Sequence, residues 1–366
     1  MRLLSRREFI ARLFAGGASV WANSACSPSQ PKPVAPTAAP SATAPVAGLS
    51  GATIVEPPPV QLTAPPAQGR ITPTDRFYVL KYSPTQPVAD LNLWGMQVAG
   101  RVERTLTLTW NDVQAHPQIK AMRTLECISN PAGGGLIGNA AWQGISLRDL
   151  LSEAGIQPAA RFVTFEGQDE YFTTVPLERA LDERALLVYQ MNGAPLLPEH
   201  GFPLRVLLAG VYGQKQPKWI SRILVSDQNE PGPWEQKGWS NTAAIQVNSR
   251  IGAPAYDAQI KLNQRTLIAG MAFAGLSGIR RVEVSTDRGQ NWVEATLVPG
   301  PAPFEKTSWT GWYTEWMPTQ TGRTLIQARA TDGDGDQQAN ENQGVLAGVF
   351  PAGTSAIHQV QVTVIA

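Results

Sequence analysis

From residue 71 onward, apolar positions fall in short runs separated by turn residues. Residues 76–81 (RFYVLK), 91–98 and 105–110 alternate with the period of two that marks strands. Residues 110–116 start a short helix. Met122, Thr124 and Leu125 form a brief β-like run that ends at Cys127, and a glycine-rich loop follows over 133–138. Residues 146–154 set Leu147, Leu150 and Leu151 on one face, the spacing of an amphipathic helix. Residues 162–165, 185–191, 204–208 and 219–225 read as strands, 176–181 as a helical turn, and Asn192-Gly193 as a tight turn. Helices and strands mix without a βαβ rhythm, so this part is α+β.

After Asn248 the pattern changes. Residues 266–273, 279–286, 292–298, 309–316, 324–330 and 358–365 alternate. Ser277-Gly278, Asp287-Arg288-Gly289, Thr321-Gly322 and Asp332-Gly333 punctuate them. Six or seven short strands at this spacing predict a β-sandwich. Residues 235–260 read as the connection between the two parts.

Composition narrows the function. The chain has 366 residues, 43% of them hydrophobic, with 11 Trp, 33 Gly and 30 Pro, which suits turn-rich β structure with large cores. Formal net charge is +1, and the first 25 residues carry +3 of it, leaving the rest near −2. That balance excludes a general nucleic-acid binder, which needs a basic face. No apolar run reaches the roughly 18 residues of a membrane span. Residues 1–26 read as an export signal: Ser5-Arg6-Arg7-Glu8-Phe9-Ile10 resembles a twin-arginine signal, which carries proteins out already folded, to the periplasm or beyond the cytoplasm. Ser24-Ala25-Cys26 resembles the end of a lipoprotein box, with Asn23 where Leu is usual. The open alternatives are lipidation of Cys26, which would anchor the chain to a membrane, and plain cleavage near Ala25. Residues 27–69, rich in Pro, Ala, Ser and Thr, cannot bury enough apolar surface to fold and read as a disordered tether.

Only two cysteines exist, and Cys26 lies in the export segment. Cys127 is therefore either a buried filler or a reactive ligand, and an internal disulfide is not expected. GGGLIG at 133–138 satisfies G-x-G-x-x-G, but no helix directly follows it, so a close-approach loop fits better than a dinucleotide site. Asp332, Asp334 and Asp336 open like a calcium loop, but Gln337 and Gln343 occupy the positions that need Gly and Glu. His200, Arg205, Lys215 and Lys218 cluster in sequence around apolar strands. If buried together they would suit a phosphate-bearing ligand.

Thr124-Leu125-Glu126-Cys127, HGFPLR at 200–205 and PKW at 217–219 resemble the sulfite oxidase family of molybdopterin-dependent oxidoreductases. GMAFAGLSGIRRVEVSTDRGQNW at 270–292 and RATDGDGD at 329–336 resemble that family's immunoglobulin-like dimerisation domain. The resemblance implies a molybdopterin-binding α+β domain over 70–250, an immunoglobulin-like sandwich over 251–366, and a homodimer. It implies Cys127 as the molybdenum ligand. It places Tyr78, Asn130, Asn139, His200, Arg205, Lys215 and Lys218 around the cofactor, with Lys81 on the strand lining the pocket. Three positions depart from the family pattern: Leu80 and Ala132 stand where arginines bind sulfite, and Trp239 stands where a tyrosine lies near the metal. Lys81 and Lys237 are the cations left to compensate. No haem segment is attached, so a separate electron partner such as a c-type cytochrome is implied. The expected activity is transfer of an oxygen atom or two electrons to or from a small substrate, sulfite-oxidase-like. Reduction of an S-oxide or N-oxide is the first alternative, and a non-catalytic cell-surface binding protein is the second.

Overall fold

The computed structural model describes residues 53–55, 62–339 and 348–366. The export segment, Cys26 and most of the stretch read as a tether lie outside the described residues. Among the described residues no helix is long and apolar enough to cross a membrane.

The first part is built on two sheets. One runs Ala194–Pro195, Leu186–Met191, Ile137–Ser146, Ile119–Glu126, with Arg205–Leu207 also pairing Leu186–Met191. The other runs Leu106–Thr109, Gly95–Gly100, Ile220–Ser226, Phe162–Gly167, Phe172–Pro176, and only its Gly95–Gly100/Ile220–Ser226 pair is parallel. The Leu147–Ala154 helix belongs to the core between them. Ser146 caps its start by accepting from the Asp149 amide, and Gly155 ends it at φ 73°. Leu147, Leu150 and Leu151 are fully buried against Val163, Phe165, Leu187 and Ile223. A capping box between Thr109 and Asp112 starts the Trp110–Ala115 helix.

The second part is the expected sandwich. One sheet runs Asn248–Ala253, Thr266–Phe273, Thr310–Trp316, Thr296–Val298. Its mate runs Gln259–Lys261, His358–Ile365, Gly322–Asp332, Ile279–Ser285, Val293–Glu294. Ile268, Val282, Trp312, Ile326, Ala328 and Val362 fill the space between them at 0% exposure, which is where their alternation pointed.

Four expectations change. The Ile137–Ser146 strand was not anticipated: Asn139, Ala140, Trp142 and Ile145 are all buried, so both faces are covered and no alternation marks it. The 235–260 connection contains two strands, Asn248–Ala253 and Gln259–Lys261. A 3-10 turn, Thr74–Arg76, ends on the first residue of the run at 76–81, and the strand there starts only at Val79. The described ends of the 27–69 stretch pack on the folded body. Thr53–Val55 pairs with Val79–Lys81, and buried Leu62 donates its amide to the Gly252 carbonyl at 3.0 Å. Ile54 and Leu62 supply apolar anchors that the Pro-rich average conceals.

One contact between the parts positions the site. Ile119–Glu126 is an edge strand, and the sandwich covers that edge. The Thr124 amide donates to the Thr307 carbonyl at 2.8 Å, the Trp309 amide donates to Thr124 Oγ1 at 2.8 Å, and Thr307 Oγ1 donates to the Met122 carbonyl at 2.9 Å.

Candidate functional site

Cys127 follows directly on that edge strand. Its amide donates to the Leu136 carbonyl at 2.9 Å, and its carbonyl accepts from the Asn130 amide at 3.0 Å, which closes the turn. The side chain is 7% exposed, and Sγ lies 3.0 Å from Ser129 Oγ. Burial raises the thiol pKa, Ser129 opposes the rise, and Glu126 adds to it. In the bare protein this sulfur keeps its proton, and a bound cation would be needed to make it a thiolate.

The turn is braced from behind. Asn130 donates from Nδ2 to Glu126 Oε1 at 2.9 Å and accepts the Leu136 amide on Oδ1 at 2.9 Å. Glu126 Oε2 accepts from Asn248 Nδ2 of the sandwich at 3.0 Å. Asn139, fully buried, accepts from Thr124 Oγ1 and donates to the Arg70 carbonyl. Asn130 and Asn139, expected around the cofactor, are spent on these braces and do not line the cleft.

Gly133 sits at φ 75°, and a Cβ there would meet the His358 ring at 2.1 Å, so only glycine lets the loop lie against this histidine. His358 Nδ1 accepts the Ile251 amide at 2.9 Å. Burial, reinforced by Arg250, lowers its pKa to about 4 from 6.5. Between those values only the unfolded chain takes up this proton, so the stability the neutral ring confers is complete above 6.5 and is lost as pH falls toward 4. Urea midpoints measured across that window should fall with pH in the native protein. They should fall less steeply in His358→Gln, where His200 and the carboxylates still titrate.

Cys127 opens into a cleft of about 830 Å³, mouth included. One end is basic. Arg205, buried, donates from Nη1 to the His200 carbonyl at 3.1 Å and lies 5.6 Å over the Trp142 ring, while its Nε has no hydrogen-bond partner. Lys218 donates to the Glu199 carbonyl at 2.7 Å and sits 4.3 Å over Trp219. Burial lowers the Arg205 pKa to about 10 and drops that of Lys218 well below its usual value, with Arg205 adding to the latter. Burial and Arg205 also hold His200 at about 4, its Nε2 3.3 Å from the Thr74 carbonyl. Gln214 Oε1 faces the same difficulty as Arg205 Nε, being buried without a partner. Crowded, desolvated cations beside orphaned polar atoms describe a cradle for an anionic, hydrogen-bonding ligand. Asp169 lines the cleft too and attracts Lys218.

The other end is aromatic. Tyr82 lies 5.4 Å from Tyr171 and 5.6 Å from Trp234, centroid to centroid, and Trp239 completes this lining at 5% exposure. Lys237 Nζ stands 4.7 Å over Trp234 and 6.0 Å over Tyr82. Tyr78 and Leu80 also line the cleft.

The structure brings together Cys127, Tyr78, His200, Arg205, Lys218 and Trp239 in the lining of one cleft. It does not bring Lys215, whose ammonium pairs with buried Glu235 and donates to Thr173 Oγ1 and the Thr174 carbonyl at 3.0 Å each. Lys81 is half-exposed and does not line the cleft; its neighbour Leu80 does. Gln214, Gln216, Tyr82, Tyr171 and Trp234 were missed. The two glutamines alternate with Lys215 in GQKQPK, so the polar run itself carried a signal. The tyrosines carried none.

Comparison with known proteins supplies the context. The family model described as oxidoreductase molybdopterin binding domain matches residues 83–234. The one described as Mo-co oxidoreductase dimerisation domain matches residues 240–364. The sulfite oxidase of Gallus gallus is 32% identical over 321 residues, covering 75% of this chain and 69% of that protein. The mitochondrial sulfite oxidase of Drosophila melanogaster is 30% identical over 360 residues, covering 84% of this chain, which spans only 61% of that protein's length. In fold, the chain is similar to the crystal structure of the sulfane dehydrogenase SoxCD from Paracoccus pantotrophus. The TM-score is 0.72 at 22% identity, covering 87% of this chain and 85% of that one.

Proposed function

Because the chain belongs to the family of molybdopterin-binding oxidoreductases that includes the sulfite oxidases, we propose that it moves an oxygen atom or two electrons between a cofactor-held metal and a small sulfur compound. The observation that carries this is that Cys127 shares one cleft with the basic cradle and the aromatic side chains, close enough to Tyr78 and Tyr171 to help raise both phenol pKa values.

The residues fit the cofactor. Cys127 would give the metal its protein sulfur, a soft donor suited to a thiophilic centre. Arg205 and Lys218, with His200 beside them, would hold the phosphate, and orphaned Gln214 Oε1 and Arg205 Nε offer an acceptor and a donor to the pterin. The group supplies two-electron redox and oxygen-atom exchange when bound. The protein does the rest. Neutral His200 positions without adding charge, Asn130 and Glu126 fix the turn that aims Cys127, and the aromatic end excludes water from the approach.

A second reading is reduction of an uncharged S-oxide or N-oxide, and the aromatic end favours it. Among the described residues lining the cleft, Arg205 is the one arginine, and it lies at the basic end. Export by the twin-arginine route, lipidation at Cys26, homodimerisation through the sandwich and a separate redox partner such as a cytochrome complete the proposal.

Molybdenum in the purified protein, measured by elemental analysis, tests the reading, together with sulfite-dependent reduction of an electron acceptor and S-oxide-dependent oxidation of a reduced dye. We expect about one metal per chain and activity in one direction. Absence of molybdenum would sink the reading, and metal with S-oxide activity alone would select the second.

A further inference from the structure

The aromatic end of the cleft is not completed by the domain that carries Cys127. Ile128, Tyr171, Tyr212, Trp234, Trp239 and Ala243 form one buried cluster with Val349, and Phe350 packs against it. Val349 and Phe350 come from the segment that enters the last strand of the sandwich, more than 100 residues after Trp239 in the chain.

Phe350 meets Trp239 edge to face, centroids 5.2 Å apart at 79°. The approach is close enough to constrain the residue beside Trp239. Gly238 has φ 93°, and a Cβ there would lie 3.1 Å from the Phe350 ring. The segment is pinned next to the ring, where the Ser240 amide donates to the Pro351 carbonyl at 3.0 Å, and it closes on itself as a turn, the Gly353 amide donating to the Val349 carbonyl at 2.7 Å. On its other flank, Trp239 is tied to the Trp234 carbonyl through its amide at 3.1 Å. Trp239 is therefore held between a short helical turn whose Trp234 also lines the cleft and a phenyl ring supplied by the sandwich.

We propose that Phe350 is a specificity-determining positioning residue: by bracing Trp239 it fixes the width of the aromatic end, so that compact substrates are gripped and bulky ones are turned away. This rests on the reading that the aromatic end receives the substrate. Edge-to-face pairing gives the indole one preferred place. Deleting the phenyl ring leaves space into which Trp239 can move, since a packed wall that loses a ring relaxes only in part. A wider pocket loses contact with a small substrate and admits a larger one, and steric discrimination of this kind changes selectivity by about 10-fold or more.

The test uses the full chain with its cofactor, as native protein, Phe350→Ala and Phe350→Leu. The probes are sulfite and dimethyl sulfoxide as compact ones, and methyl phenyl sulfoxide as the bulky one. Metal content and thermal melting are read alongside kcat and KM. In Phe350→Ala, molybdenum content and kcat with the compact probe should stay near native while its KM rises. Selectivity toward methyl phenyl sulfoxide should improve by about 10-fold. Phe350→Leu, which keeps an apolar filler, should shift the same ratio by less, and it carries the test alone if the alanine variant does not fold. A second readout needs no turnover: quenching of tryptophan fluorescence by methyl phenyl sulfoxide should saturate at lower concentration in Phe350→Ala than in native protein. Loss of molybdenum, or an equal change for compact and bulky probes, would make Phe350 merely structural and overturn the proposal. If native protein turns over none of the probes, the functional reading fails, and the fluorescence titration still decides whether Phe350 sets the width.

Discussion

Cys127→Ala is expected to lower kcat by more than about 100-fold while the protein stays folded. Removing a hydrogen-bond partner of a metal ligand already costs 10–100-fold, so loss of the ligand itself sets that range as a floor. The structural cost is small. Sγ is held by the hydroxyl and the backbone amide of Ser129, and the turn that carries it is built from backbone bonds to Leu136 and Asn130 and from the Glu126–Asn130 side-chain pair. Trimming one buried atom should cost about 1 kcal/mol. Steady-state kinetics and a denaturant titration on the same preparation separate the two effects. Equal loss of stability and activity would make Cys127 a core residue. A variant that keeps more than a tenth of native kcat would remove it from the chemistry.

The second large effect is on stability. Lys215→Met should destabilise the fold by about 3–5 kcal/mol, the cost of leaving one partner of a buried ion pair behind. Lys215 and Glu235 side chains are 3% and 0% exposed, and Glu235 Oε2 has no hydrogen-bond partner even in the native protein. Burial lowers the lysine pKa against the pull of Glu235. With the ammonium gone, Glu235 retains only Thr173 Oγ1 among these partners. Replacing both, as Lys215→Met with Glu235→Leu, should recover most of the loss, because an apolar pair of similar volume avoids desolvating any charge. Urea denaturation of the three variants checks this. The site should register the change too, since Glu235 adjoins Trp234 in the Pro233–Gln236 turn.

This pair shows where sequence reading reached its limit. Lys215 and Lys218 are three residues apart in one polar run, and both suit a phosphate. A 3-10 turn over Gly213–Lys215 separates their fates: one ammonium goes to Glu235, the other lines the cleft. Nothing in residue type encodes that choice. The place of Cys127, His200 and Arg205 on the cleft was legible through the family resemblance of TLEC and HGFPLR, whereas residue type alone left Cys127 open as a buried filler. The sandwich was legible because one face of each sheet is covered, which leaves alternation in the sequence. Ile137–Ser146 was not, because both of its faces are covered. The braces from Asn248 and His358 join residues more than 100 positions apart, beyond the reach of local pattern.

The cover on the Ile119–Glu126 edge also sets a timetable. Its bonds from Thr307 and Trp309 link positions 185 apart in the chain. At translation rates of roughly 5–20 residues per second, the ribosome makes Cys127 about 10–40 s before it makes the residues that seal the edge beside it. During that interval the cysteine strand is an open, pairing-competent edge, even after the last cleft-lining residue, Trp239, has been made. A chain stopped before residue 307 would therefore expose the cysteine strand without the seal that closes it.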